Sequence, residues 1–253
     1  MNPQHNYATV REWDEKRTQE LSGKLKPYIQ VTDAYAELVC EIVDVIGTEK
    51  PLSSQDIVAR DLLADVFDAL HEARRIILTG KCSIAYPVAR RVYESLSLMV
   101  LCVLDVSIAA KWQSGQEIRN SEVRRELAKH PLGEKEDSTR KLHSFFTLGA
   151  HPNRGLIPRR FLGEGNEFVL GSVGAPSLAL VTEYCVIHLR MWFWFTATLL
   201  HFYQPLIDAA KPDFGSRYLR VANVAQQLQM ALDQNYDRLL SEEQARYAKP
   251  HDK

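Results

Sequence analysis

The chain has 253 residues, 45% of them hydrophobic and 25% charged, with 12 glycines and 11 prolines. That balance fits a folded domain with a sizeable core and excludes collagen-like and disordered classes. Thirty-one Lys and Arg against 32 Asp and Glu give a formal charge of -1, so no overall basicity points to nucleic acid or to an anionic membrane.

The first 30 residues mix acids, bases and polar side chains where a secretory leader needs an apolar stretch, and they read as a polar, partly helical arm. A first core helix is expected over about Thr32 to Val45, with Thr32 or Asp33 as its cap. Ser53 or Ser54 opens a second, in which Ile57, Leu62, Val66, Leu70 and Ile76 or Ile77 recur at helical spacing before Gly80 ends it. The short "TGKCS" link forces an antiparallel neighbour, expected to run from near Pro87 to about Trp112.

At about 100° per residue, Val92, Leu96, Met99, Val103 and Val106 fall on one side of that helix, and Arg90, Glu94, Ser97, Leu101 and Asp105 on the other. A polar helix over about Glu117 to Lys129 follows, then a charged loop and a helix closed by "GAHPN". A β-hairpin with a glycine-rich turn is expected near 157–173. A long helix, apolar nearly all round, spans about Pro176 to Tyr203, and an amphipathic one runs from Phe214 to Leu240 before a polar tail at 241–253. The reading is one all-α bundle domain at 31–240, of about six to seven helices, with a small β-hairpin insertion.

Two apolar stretches approach membrane-span length, but one carries Asp105 and the other His188 and Arg190, which favours core helices over spans. The four cysteines, Cys40, Cys82, Cys102 and Cys185, stand far apart without CxxC or His-Cys spacing and read as buried thiols of a reducing cytosol, with no metal site. A P-loop, a GxGxxG fingerprint, HExxH and GxSxG are all lacking, so no cofactor is expected.

Arg90 and Glu94 stand four apart and can pair along the helix, either as a structural ion pair or as part of a site. Arg91 then offers a second guanidinium for an anion. His151 sits at a helix end, where the carbonyl dipole favours its protonated form, and with Pro152 and Asn153 it reads equally as a helix stop or as an acid-base group. His143, about 80° round the helix from it and roughly 12 Å along, is too distant to share its work. Arg154, Arg159 and Arg160 make a compact basic run that suits phosphate or a solvated face. Arg-x4–6-His matches occur at Arg124 or Arg125 to His130 and at Arg246 to His251, a pattern short enough to arise by chance.

Taken in order, "AYPVARRVYESLSLMVL", then "LHSFFTLGAHPN" and the β-like excursion resemble a bacterial family of all-helical proteins with Arg-x-x-x-Glu and His-Pro-Asn motifs, itself distantly like HEPN bundles. The resemblance covers about Asp61 to Gly174 on Arg90, Glu94, His151, Pro152 and Asn153. It implies a soluble bacterial helical bundle with an Arg/Glu/His site, in keeping with the cytoplasmic location the cysteines suggest, and some HEPN proteins are RNases of toxin–antitoxin or phage-defence systems. His151 has no arginine at the HEPN spacing before it, so the resemblance implies the site without the reaction.

The favoured reading is a non-catalytic interaction or homodimerisation module of a bacterial stress or defence system. One alternative is a metal-independent RNase with His151 as general acid or base, Arg90 or Arg91 and Arg154 on phosphate, and Glu94 orienting an arginine. The other is a binder of a small phosphorylated ligand at Arg91, Asn153 and Arg154.

Overall fold

A computed structural model describes residues 7–48, 50, 53–130 and 176–247 of the chain. They form eight helices and no strand: α1 (Tyr7–Lys24), α2 (Lys26–Gly47), α3 (Ser54–Leu78), α4 (Cys82–Leu104), α5 (Val106–Gln113), α6 (Asn120–Leu127), α7 (Leu178–Ala210) and α8 (Phe214–Tyr247). The all-α expectation holds for these residues. The hairpin expected near 157–173 lies outside them.

The N-terminal boundary differs from expectation. Residues 7–24 are a full helix, and α2 starts at Lys26 rather than near Thr32. Pro27 sits in the first turn of α2, where its missing N–H costs little. Thr32 is no cap: it is buried inside α2, donating to the Ile29 carbonyl at 2.9 Å and accepting from Arg74 at 3.1 Å. Only Leu21 of α1 is fully buried, and an ion pair from Asp14 to Lys81 helps fasten the helix.

The expected helix from Pro87 to Trp112 is two helices. Asp105 adopts an extended conformation (φ -132°, ψ 107°), and its carboxylate accepts from the N–H groups of Ser107 at 2.8 Å and Ile108 at 3.4 Å, which starts α5. The break turns Val106 out to 60% exposure, whereas Val92, Leu96 and Met99, from the same predicted apolar side, are completely buried. Two further helices outrun their expected bounds: α7 continues past Pro205 to Ala210, and α8 runs on to Tyr247, into what reads as tail.

Two kinds of contact fix the layout. Gln55 reaches the Val103 carbonyl (2.6 Å) and Asp65 meets Arg91, so α3 and α4 run antiparallel. Tyr28 meets His188 and Glu41 meets Lys211, so α2 and α7 run parallel. α7 is the axis: Tyr184, Cys185, Phe195 and Ile207 along it are all fully buried against α2, α3, α4 and α8. Full burial of each such apolar side chain contributes about 1.5–3 kcal/mol.

The end of α8 returns to the start of α7. Glu243 accepts from the Ser177 hydroxyl at 2.7 Å and the Ala179 N–H at 3.1 Å, placing a carboxylate at a helix N-terminus, where the dipole favours it. Among the described residues no helix is long and apolar enough to cross a membrane.

Candidate functional site

The predicted Arg90–Glu94 pair forms. Arg90 Nε donates to Glu94 Oε1 at 2.8 Å, and both side chains keep about a quarter of their surface, 28% and 25%. The same stretch of α4 makes two contacts to α7: Tyr86 Oη donates to Glu183 Oε2 at 2.6 Å, and the Tyr93 ring lies against Trp194 with centroids 6.0 Å apart. Burial, and then the Glu183 carboxylate, push the Tyr86 phenol far above its ordinary range, so it stays a donor.

The rest of the predicted polar stripe has a different character. Ser97 and Leu101 are buried, the Ser97 hydroxyl donating to the Tyr93 carbonyl at 2.7 Å, and Asp105 is the α5 cap. Arg91 does not stand free beside Arg90. It crosses to Asp65 of α3, which also accepts from Ser95 at 2.8 Å. Arg190 faces α8, with Asp233 at 3.8 Å. Thus Arg90, Arg91 and Arg190 each have their own partner. His151, Asn153 and Arg154, together with His143, Arg159 and Arg160, lie outside the described residues. Arg125 pairs with Glu126 at 3.1 Å on the short α6, and His130 lies just beyond that helix.

Sequence reasoning missed three polar centres, two of them in the core. His188 is 1% exposed; its Nδ1 accepts from Tyr28 Oη at 2.7 Å and its Nε2 donates to the Leu70 carbonyl at 2.9 Å, joining α2, α3 and α7. These partners select the Nε2–H tautomer. Tyr184 stacks on the ring at 6.0 Å and 21°. Burial first, with the Arg74 guanidinium acting in the same direction, lowers the imidazole pKa from 6.5 to about 4, so it is neutral at neutral pH. The one signal in the sequence was a histidine inside a helix apolar on every side.

The second centre is Asp56, which is 5% exposed and accepts from Arg60 Nε at 2.8 Å and Tyr203 Oη at 2.7 Å, tying α3 to α7. Its N–H donates to the Ser53 hydroxyl at 3.1 Å, so "SSQD" carried a legible cap signal. The third is Glu41, which accepts from both terminal nitrogens of Arg217 at 2.6 Å and from Lys211 at 2.8 Å. The Arg217 hydrogen bonds, followed by Lys211, lower its carboxyl pKa to about 2.

Cys82, Cys102 and Cys185 are buried as expected, and burial lifts the first two thiols to about 12. Such thiols are poor nucleophiles. Cys40 is exposed, contrary to expectation, because it lies on the outer side of α2 beside exposed Val43 and Asp44. No group of three His, Cys, Asp or Glu side chains among the described residues could hold a metal ion.

No family model, curated protein or solved structure matches the chain. The resemblance to the Arg-x-x-x-Glu/His-Pro-Asn family therefore stands on those residues alone.

Proposed function

We propose that the chain is a non-catalytic helical interaction module, homodimerising or binding a partner, of the kind the family resemblance places in bacterial stress or defence systems. The observation that carries this reading is the use made of His188 and Asp56. Both are almost fully buried, and both are tied to other helices, His188 to α2 and α3 and Asp56, through Tyr203, to α7. A general acid or base must reach a substrate proton, and His188, with both nitrogens occupied and 1% exposure, reaches none. Arg90 and Glu94 likewise pair along one helix.

The test is incubation of the purified chain with a mixed cellular RNA pool, with and without divalent metal, beside His151→Ala. Intact RNA with both proteins, together with a concentration-dependent mass in analytical sedimentation, is the expected result. Cleavage by the wild type that the mutant loses would overturn this reading in favour of an RNase with His151 as acid or base.

A second reading has one observation in its favour. Arg90 engages Glu94 through Nε, and its side chain keeps 28% of its surface, so its terminal nitrogens are available to a phosphate. On that reading Arg90, with Arg91, Asn153 and Arg154, binds RNA or a small phosphorylated ligand. Arg90→Gln should then weaken binding of a 5′-phosphorylated oligonucleotide by at least tenfold in fluorescence anisotropy; unchanged binding would dismiss it.

A further inference from the structure

The parallel run of α2 and α7 brings two helix C-termini to the same end of the bundle. Between them opens a groove of about 480 Å³, walled by Val45, Leu206, Ala209 and Ala210 and edged by Asp44 and Thr48. Helix C-termini present carbonyl groups with no intrahelical donor and carry partial negative charge. At α7 this is accentuated by sequence. Pro212 has no N–H to offer the Asp208 carbonyl, the Lys211 N–H goes to Ile207, and the Phe214 N–H goes to Lys211. Among the described residues the carbonyls of Asp208, Ala209 and Ala210 receive no backbone hydrogen bond from beyond the helix.

Among the described residues the one cation that lines the groove is already engaged. Lys211, although it lines the groove, turns its ammonium to Glu41 at 2.8 Å, and Arg217 grips the same carboxylate. Asp44 has no ion-pair partner among the described residues and is exposed at the groove edge. The groove thus offers apolar walls beside a carboxylate and the open carbonyls that end α7; at the end of α2 the Thr48 hydroxyl and N–H already serve the Val45 and Ile46 carbonyls.

We propose that this groove is a binding site for an alkyl guanidinium or ammonium group, carried by a basic side chain of a partner polypeptide. The stem lies on Val45, Leu206 and Ala209, and the head meets Asp44 and the open carbonyls. A long basic side chain divides in this way between apolar surface and polar tip. An anion is disfavoured by the same two dipole ends. This inference rests on the interaction-module reading and names the chemistry that such a module takes.

The full chain, labelled with ¹⁵N, is titrated at low salt with the peptide acetyl-Gly-Arg-Gly-amide. The controls are the citrulline peptide, which keeps shape and loses charge, and spermidine. Saturable shifts at the amides of Val45, Thr48, Ala209 and Ala210 are expected, weakened at least about tenfold by citrulline or by Asp44→Asn, as for loss of a charge-assisted contact. Asp44 is exposed, so the variant should keep the wild-type Tm, and Asp237→Asn on distant α8 serves as an exposed-acid control.

No saturable shift with wild type, or equal binding of the arginine and citrulline peptides, overturns the proposal. Equal binding by the Asp44→Asn variant overturns it too, and binding of spermidine alone overturns the polypeptide partner in favour of a free polyamine. RNA cleavage would defeat the module reading while these shifts stood, and absent shifts would defeat the groove alone, so the two failures are distinguishable.

Discussion

At the scale of single residues, His188 shows how a polar group is tolerated in an apolar core. Each ring nitrogen has a partner of the right sense, a donor hydroxyl on Nδ1 and an acceptor carbonyl on Nε2. The arrangement holds only for the neutral ring. The unfolded chain takes up the imidazole proton near 6.5 and the folded chain only near 4, so this contribution is complete above pH 6.5 and is lost as the pH falls toward 4. The lost stability is about 3 kcal/mol across that window. Urea unfolding from pH 7.5 to 4.0 should show this decline in the wild type and a flatter profile in His188→Gln; parallel profiles would refute it. Tyr28→Phe removes the donor to Nδ1 and leaves a buried acceptor unmet. The expected cost is about 1–3 kcal/mol in the same measurement at pH 7.5.

At the scale of elements, Asp105 divides what periodicity reads as one helix. Asp105→Ala should destabilise the chain by about 1 kcal/mol in equilibrium unfolding, and Asp105→Asn by much less, because asparagine caps nearly as well. An alanine variant as stable as the wild type would show that α5 starts without the cap. Gly80 closes the α3–α4 link at φ 76°, and a Cβ there would meet Pro176 at 2.8 Å. Gly80→Ala therefore strains both backbone and packing, and a loss of at least about 1 kcal/mol is expected by the same method.

These two positions also show what the sequence could reveal. The apolar stripe of α3 and the near-complete apolarity of α7 were legible because burial imposes a helical period on many residues at once. Thr32 and the arm before it were misread because polar residues were taken to be terminal or solvent-facing, and the helix to Trp112 because Asp105, a cap, was taken for one member of a polar stripe. Thr32 is instead buried at the crossing with Arg74. Of the candidate site, Arg90–Glu94 was legible because both residues lie on one helix, four apart. Arg91–Asp65 and Tyr28–His188 were not, since each exists only once two helices have docked.

At the scale of the whole molecule, Glu41 draws together α2, the end of α7 and the start of α8 through Lys211 and Arg217. A bidentate guanidinium grip on a half-buried carboxylate is stronger than a loose surface pair. Its acid sensitivity falls in a lower window than that of His188. The unfolded carboxyl titrates near 4.5 and the folded one near 2, so the contribution is whole above pH 4.5 and fades as the pH falls toward 2. The wild type should therefore lose stability in two steps, the first belonging to His188 and the second to Glu41. Glu41→Gln keeps the side-chain shape, lowers stability at pH 7 by about 1 kcal/mol, and should flatten only the second step. Acid titration followed by near-ultraviolet circular dichroism, on wild type, Glu41→Gln and His188→Gln, separates the two. If Glu41→Gln instead flattened the upper step, the acid response would belong to one coupled network running from the Tyr28–His188 contact to the far end of α2, and the assignment to separate centres would fall.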